Sequence, residues 1–156
     1  MNMITSLEAS LNLSFSGTAP ANRQALVVIA SDSAAVVQQL EQVCVFFDLG
    51  VQIVDSEEEL LSMLREHRPM AVIADVDGVS RDGFHAMRVV GDYDHDLPIM
   101  VLTHGDPVLM GAADAMQELW NLTMVSRTSA KPLAGQLAEF LFAAGRRAGC
   151  MRLVQV

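Results

Sequence analysis

From Ala25 onward the chain alternates short β-branched apolar runs with longer stretches whose apolar residues recur every three or four positions. Such alternation marks a parallel sheet covered by helices on both faces, because parallel strands need helical crossovers and are buried on both sides. Leu26-Val27-Val28-Ile29-Ala30 reads as a buried first strand. Ser31-Asp32-Ser33 then offers helix-capping side chains, and Val36, Val37, Leu40, Val43, Cys44 and Phe47 form the buried stripe of a first helix that Gly50 ends. A shorter second strand, Val51-Gln52-Ile53-Val54, leads into Ser56-Glu57-Glu58-Glu59, where the serine and the last glutamate make a capping box. Leu60, Leu61, Met63 and Leu64 carry this second helix to His67, and Pro69 stops it.

Met70-Ala71-Val72-Ile73-Ala74 is apolar throughout, as expected of a central strand, with Asp75 at its carboxyl end. Gly78 and Gly83 bracket a loop into a third helix that turns Phe84, Met87 and Val90 inward. Leu97 to Leu102 is the fourth strand, ended by Thr103, and a helix from about Val108 to Trp120 follows. A weak fifth strand at Leu122 to Val125 and a last helix from Leu133 complete the pattern. The expected fold class is α/β, a five-stranded parallel sheet in a three-layer αβα arrangement. Residues 1–24 are expected to be a flexible amino-terminal extension in which Ile4, Leu7 and Leu11 recur at helical spacing, residues 25–145 the folded domain, and residues 146–156 a carboxyl-terminal tail or the start of a linker.

With 156 residues, 51% of them hydrophobic, the chain is long enough for one domain with a substantial core. No apolar run approaches the ~18–20 residues that cross a bilayer, and the amino-terminal stretch lacks the positive charge and unbroken apolar core of a secretory signal. No membrane association is expected. The net charge of −9 would repel a phosphate backbone, which argues against direct nucleic-acid binding. Cys44 and Cys150 lack the spacing of a zinc site or a disulfide scaffold and suit a reducing cytoplasm. The acidic stretch Asp92-Tyr93-Asp94-His95-Asp96 reads as a solvated turn, since adjacent loop residues rarely converge on one ion.

Ligands of an open parallel α/β sheet sit at the carboxyl ends of its strands. The conspicuous polar residues fall there: Asp32 after strand one, Asp75 after strand three, Thr103 after strand four, and Lys131, the only lysine, after strand five. Two carboxylates, a hydroxyl and an ammonium at one sheet edge suit Mg²⁺ and a phosphoryl group, since hard oxygens hold the metal and the other two bind phosphoryl oxygens. The competing reading is a set of helix caps that meet only because strands end there. A small metabolite enzyme is disfavoured, because the chain offers no nucleophile and base pair and no glycine-rich phosphate loop.

Four stretches, in order, carry a family resemblance: Pro69 to Val76, Asp82-Gly83-Phe84, Leu97 to Thr103, and Lys131-Pro132. Over roughly residues 25–145 the chain resembles the CheY-like receiver domains of two-component response regulators. The resemblance implies a flavodoxin-like (βα)5 fold, Asp75 as phosphoacceptor, Asp32, Asp75 and the carbonyl of Asp77 as Mg²⁺ ligands, Thr103 as the switch hydroxyl and Lys131 as the phosphoryl partner. It also implies a histidine kinase or phosphotransfer protein upstream, an effector downstream, and a cytoplasmic signalling module rather than an enzyme.

The chain departs from the family at several points. Ser31 stands where a second acid is usual, which weakens metal binding and leaves Ser31 at most to hold a water. Thr128 replaces a common aromatic switch residue, His104 a small one, and Val79 a frequent proline. The stretch between Thr103 and Lys131 is longer than in the commonest receivers and resembles receivers fused to EAL-type cyclic-di-GMP phosphodiesterases. Two functions follow: a phosphorylation-driven switch, or a degenerate receiver serving as a phosphorylation-independent dimerisation or docking module. Met110, Met116, Leu119 and Trp120 point to the fourth helix, fifth strand and fifth helix as the surface for an effector or a second copy in a homodimer. Trp120 would be its anchor if exposed; otherwise it packs over the lengthened connection.

Overall fold

Five strands, β1 (Gln24–Ala30), β2 (Gly50–Ile53), β3 (Pro69–Asp75), β4 (Ile99–Leu102) and β5 (Val125–Thr128), alternate with five helices. The helices are α1 (Ala34–Phe46), α2 (Glu57–His67), α3 (Gly83–Tyr93), α4 (Pro107–Leu119) and α5 (Ala134–Ala148). A computed structural model describes residues 23–31, 33–75, 83–103, 106–123, 125–128 and 134–149. The strands form one sheet in the order β2-β1-β3-β4-β5, all parallel. This is the α/β, three-layer, flavodoxin-like architecture expected from the alternating pattern.

Period-two side-chain alternation divides the core between the two faces of the sheet. Val27, Ile29, Met70, Ile73, Met100 and Leu102 pack under α1 and α5, and Val28, Val72, Ala74, Ile99 and Val101 pack under α2 and α3. β3 lies at the centre and is buried at all seven of its positions, which is why its sequence is apolar without alternation. Val36, Leu40 and Cys44 seat α1 on the sheet at four-residue spacing. Burial pushes the Cys44 thiol up to about 11, with Glu41 adding to the shift, so this cysteine is an inert packing residue.

Local chemistry sets the element ends. Ser33 Oγ accepts from Val36 N at 3.3 Å and caps α1. At α2, Ser56 Oγ accepts from Glu59 N at 3.0 Å, while the Glu59 carboxylate reaches one residue past the cap to accept from Asp55 N at 2.7 Å. The left-handed turn after α1 is taken by Asp48 at φ 61°, not by Gly50, which opens β2 where an added Cβ would lie 3.3 Å from Leu26 Cδ1. α2 likewise ends on Arg68 at φ 48°, and Pro69 is the first residue of β3 rather than a bare stop.

The fifth strand is displaced from its expected place. Asn121 turns the chain at φ 56°, and Leu122 then points into the core beside α3 instead of entering the ladder. Pairing with β4 begins at Ile99 opposite Val125. The apolar residue read as strand is a plug, and the true strand, at the sheet edge, has only half-buried side chains at Val125, Ser126 and Arg127 and needs no apolar run.

The domain limits also shift. Arg23 and Gln24, expected in the extension, are fixed: Gln24 opens β1, and the buried Arg23 guanidinium donates to Asp94 Oδ2 at 2.8 Å. Residues 146–148, expected in the tail, are the last turn of α5, with Ala148 buried. Ile4, Leu7 and Leu11 of the extension and residues 150–156 of the tail lie outside the described residues.

The acidic loop is the solvated turn expected and also a fastening. Asp94 Oδ1 accepts from Asp96 N at 3.0 Å, and Asp96 Oδ1 accepts from Thr123 Oγ1 at 2.7 Å, tying the start of β4 to the approach of β5. The Thr123 hydroxyl is the largest influence holding the Asp96 carboxyl below the usual carboxylate range, with His95, Arg147 and Arg23 assisting and burial opposing. A carboxyl depressed in the folded state stabilises at neutral pH, and that contribution is lost as pH falls through the ordinary carboxylate range and below, from about pH 4 downward. Thr123→Val is therefore expected to lower the thermal midpoint at neutral pH by an amount that shrinks on acidification. Scanning calorimetry from about pH 7 to about pH 3 checks this, and a deficit that stays constant would remove Asp96 as its source.

Candidate functional site

Chain direction reverses between β1 and β3: β1 connects outward to β2, and α2 then returns the chain across β1 to β3. The crevice at the carboxyl ends of these two strands is the switch point where α/β sheets receive ligands. Register brings its residues together, because Ala30 pairs with Ala74 and Asp75 pairs with Leu102. Ser31, Asp75 and Thr103 thereby stand side by side, and all three are buried.

Asp75 is 3% exposed, and its Oδ2 accepts from Ser31 Oγ at 3.4 Å, a long bond. Ser31 Oγ in turn accepts from Ser33 N at 3.2 Å. The serine expected only to hold a water thus links the carboxylate directly to the amino end of α1. The Thr103 carbonyl accepts from Asp106 N at 3.1 Å, and Asp106 Oδ1 accepts from Val108 N at 2.8 Å, capping α4 with Pro107 at its first position. Only two residues separate Thr103 from that cap, so any displacement of Thr103 acts on the start of α4.

Of the expected site residues, the structure gathers Asp75 and Thr103. Asp32, Asp77 and Lys131 lie outside the described residues, as do Val79, His104 and the side chain of Thr128. Among the described residues no three acidic, histidine or cysteine side chains gather as a metal cluster. The donor set at the switch point, a buried carboxylate beside a hydroxyl, consists of hard oxygens and so fits Mg²⁺ rather than a softer metal.

Sequence reasoning missed Arg127, whose Nη2 donates to Gln117 Oε1 and pairs with Asp114 Oδ1, both at 2.5 Å. This clasp joins β5 to α4, while the Arg127 Nε has no hydrogen-bond partner among the described residues. Arg127 stands between Ser126 and Thr128, just beyond the weak fifth-strand run, and nothing in that local sequence marks it. His85 of α3 places Nδ1 2.7 Å from Glu57 Oε2, and Arg88 joins the same carboxylate at 3.1 Å, fastening α3 to α2. The hollow between β5 and α5, about 360 Å³ and lined in part by Arg127, Glu139 and Phe140, lies apart from Asp75.

Comparison with known proteins bears on the same site. No protein-family model matches the chain. Response regulator MprA from Mycobacterium sp. (strain KMS) is 32% identical over 82 residues, which is 53% of this chain and 36% of that protein. The match therefore spans little more than a third of the curated relative's length. A response regulator receiver domain protein from Clostridium thermocellum superimposes with a TM-score of 0.62 at 23% identity, covering 80% of this chain and 96% of that one. The chemotaxis protein CheY4 of Vibrio cholerae gives a TM-score of 0.60 at 19% identity over 78% of this chain and 98% of its own. The fold is thus similar to that of response-regulator receiver domains, and part of the sequence is similar to a response regulator.

The site described above sits where the fold directs ligands, and Asp75 ends the most completely buried strand. No helix among the described residues is long and apolar enough to cross a membrane.

Proposed function

We propose that this receiver accepts a phosphoryl group on Asp75 from the phosphohistidine of a partner histidine kinase or phosphotransfer protein, and that it does so in the cytoplasm. The buried Asp75 carboxylate at the β1/β3 switch point, beside Ser31 and Thr103, is the observation that carries this reading. A carboxylate oxygen attacks phosphorus, the O–P bond forms as the N–P bond breaks, and the imidazole leaves with its electron pair. Asp32, Asp75 and the Asp77 carbonyl would hold Mg²⁺, which when bound offsets the negative charge of carboxylate and phosphoryl group. Lys131 and the Thr103 hydroxyl bind phosphoryl oxygens.

Thr103 moves toward the phosphoryl group and draws the Asp106 cap with it, so the start of α4 shifts against β5 at the Arg127 clasp. The altered α4–β5–α5 surface is read by an effector. An EAL-type effector is the finer reading and rests on the sequence of residues 116–125 alone.

The second reading, a degenerate receiver that docks or dimerises without phosphorylation, draws support from Ser31, which occupies Asp75 Oδ2 where a second acid is usual. Intact-mass measurement after incubation with acetyl phosphate and Mg²⁺ separates the two. One phosphoryl adduct, absent without the metal, is expected. An unmodified chain under the same conditions would favour the degenerate receiver.

A further inference from the structure

α1 differs from every other helix in what it shows to solvent. Its exposed residues are Ala34, Ala35, Gln38, Gln42, Val45 and Phe46, none of them charged, and its single charge, Glu41, is half-buried. The other four helices each expose at least two charged or titratable side chains: Glu58 and Arg65 on α2, His85 and Arg88 on α3, Asp114 and Glu118 on α4, Arg146 and Arg147 on α5. A helix lacking charge on its outer face is expected under another layer, yet none of the described residues packs over the outer face of α1. At its carboxyl end Val45 is 71% and Phe46 80% exposed. The Phe46 ring meets Phe47 edge-on at 5.1 Å, and Phe47 meets Phe142 of α5 at 4.9 Å, so the exposed ring stands on a rigid aromatic base.

We infer that the α1 face is an interface with a second copy of this chain, the two α1 helices crossing antiparallel about a two-fold axis. Charge selects the occupant. Two chains of net charge −9 repel wherever charged surfaces meet, and α1 is the helix across which they can approach without apposing like charges. Shape selects the direction. The exposed set is graded in size along the helix, with small Ala34 and Ala35 at one end, large Val45 and Phe46 at the other, and Gln38 and Gln42 between. Antiparallel pairing sets each Phe46 over the partner's alanine end and lets the central amides hydrogen-bond across the axis. A parallel pair would stack the bulky ends and leave a gap at the alanines. A 13-residue helix about 20 Å long makes a small interface, so a dimer at the weak, reversible end of the range is expected.

The inference does not depend on Asp75 being phosphorylated. Sedimentation velocity on the full chain without phosphodonor, over a concentration series, should show a monomer–dimer equilibrium. Phe46→Glu should weaken it at least tenfold while circular dichroism stays unchanged, since the replaced ring is exposed. Combining Phe46→Glu with Ala35→Lys should restore the dimer, because antiparallel pairing sets each glutamate beside a partner lysine. Leu119→Glu, on α4, should leave it intact. A wild-type chain monomeric throughout, a Phe46→Glu dimer as tight as wild type, a double variant that stays monomeric, or loss of the dimer on Leu119→Glu would each overturn the inference.

Discussion

Asp75→Asn is expected to abolish the phosphoryl adduct formed from acetyl phosphate, reducing intact-mass labelling to background. The amide nitrogen and oxygen are poor nucleophiles, and the variant removes the negative oxygen that both attacks phosphorus and binds the metal. Fold should be preserved, because asparagine keeps the volume of a side chain only 3% exposed and can still accept the Ser31 hydroxyl bond. Labelling that persists in Asp75→Asn would place the acceptor elsewhere. Ser31→Asp probes the same crevice from the other side. It sets a second carboxylate where the serine now reaches Asp75 Oδ2 at 3.4 Å, and should tighten Mg²⁺ binding by ~tenfold or more through added ligand charge. Without metal the two carboxylates repel, so this variant should melt below wild type and gain more from Mg²⁺. A metal affinity unchanged by calorimetry would separate Ser31 from the metal site.

The features that could be read from the chain are those governed by periodicity and local caps. β3 was unmistakable, since a strand buried on both faces cannot hide its apolar run. Ser33 and Ser56 announced the starts of α1 and α2 because a cap is a contact between near neighbours. Asp75 and Thr103 followed from strand order, once parallel strands put their carboxyl ends on one edge. The misplaced features depend on contacts distant in sequence. Leu122 is apolar because it plugs the core beside α3, and a run of apolar residues does not distinguish a plug from a strand. Arg23 binds Asp94, 71 residues away, and Asp96 binds Thr123, 27 away, so an acidic turn read locally becomes a fastening only when the fold closes. The direct bond from Ser31 to Asp75 belongs to the same class, being set by the β1/β3 register.

Trp120→Ala is expected to lower stability by about 2–3 kcal/mol without changing the association state, below the ~3–5 kcal/mol typical of a fully buried aromatic because the ring is only partly covered. Trp120 could have been an exposed anchor or a packing residue, and its surroundings favour packing. It lies against the core cluster beneath α2 and α3, and its backbone N–H donates to the Met116 carbonyl at 3.0 Å as the cap of α4. Gly91 of α3 allows this approach: an added Cβ there would stand 3.2 Å from Trp120 Cβ and 3.4 Å from Leu122 Cδ2. The tryptophan and the Leu122 plug together seat the long connection between α4 and β5 on α3. The neighbouring Leu119 is 68% exposed, so Leu119→Ala should cost no more than ~0.5 kcal/mol. Urea unfolding of both variants beside sedimentation velocity supplies the comparison. A Trp120→Ala chain that unfolds at the wild-type midpoint but associates less would return the ring to the role of an interface anchor.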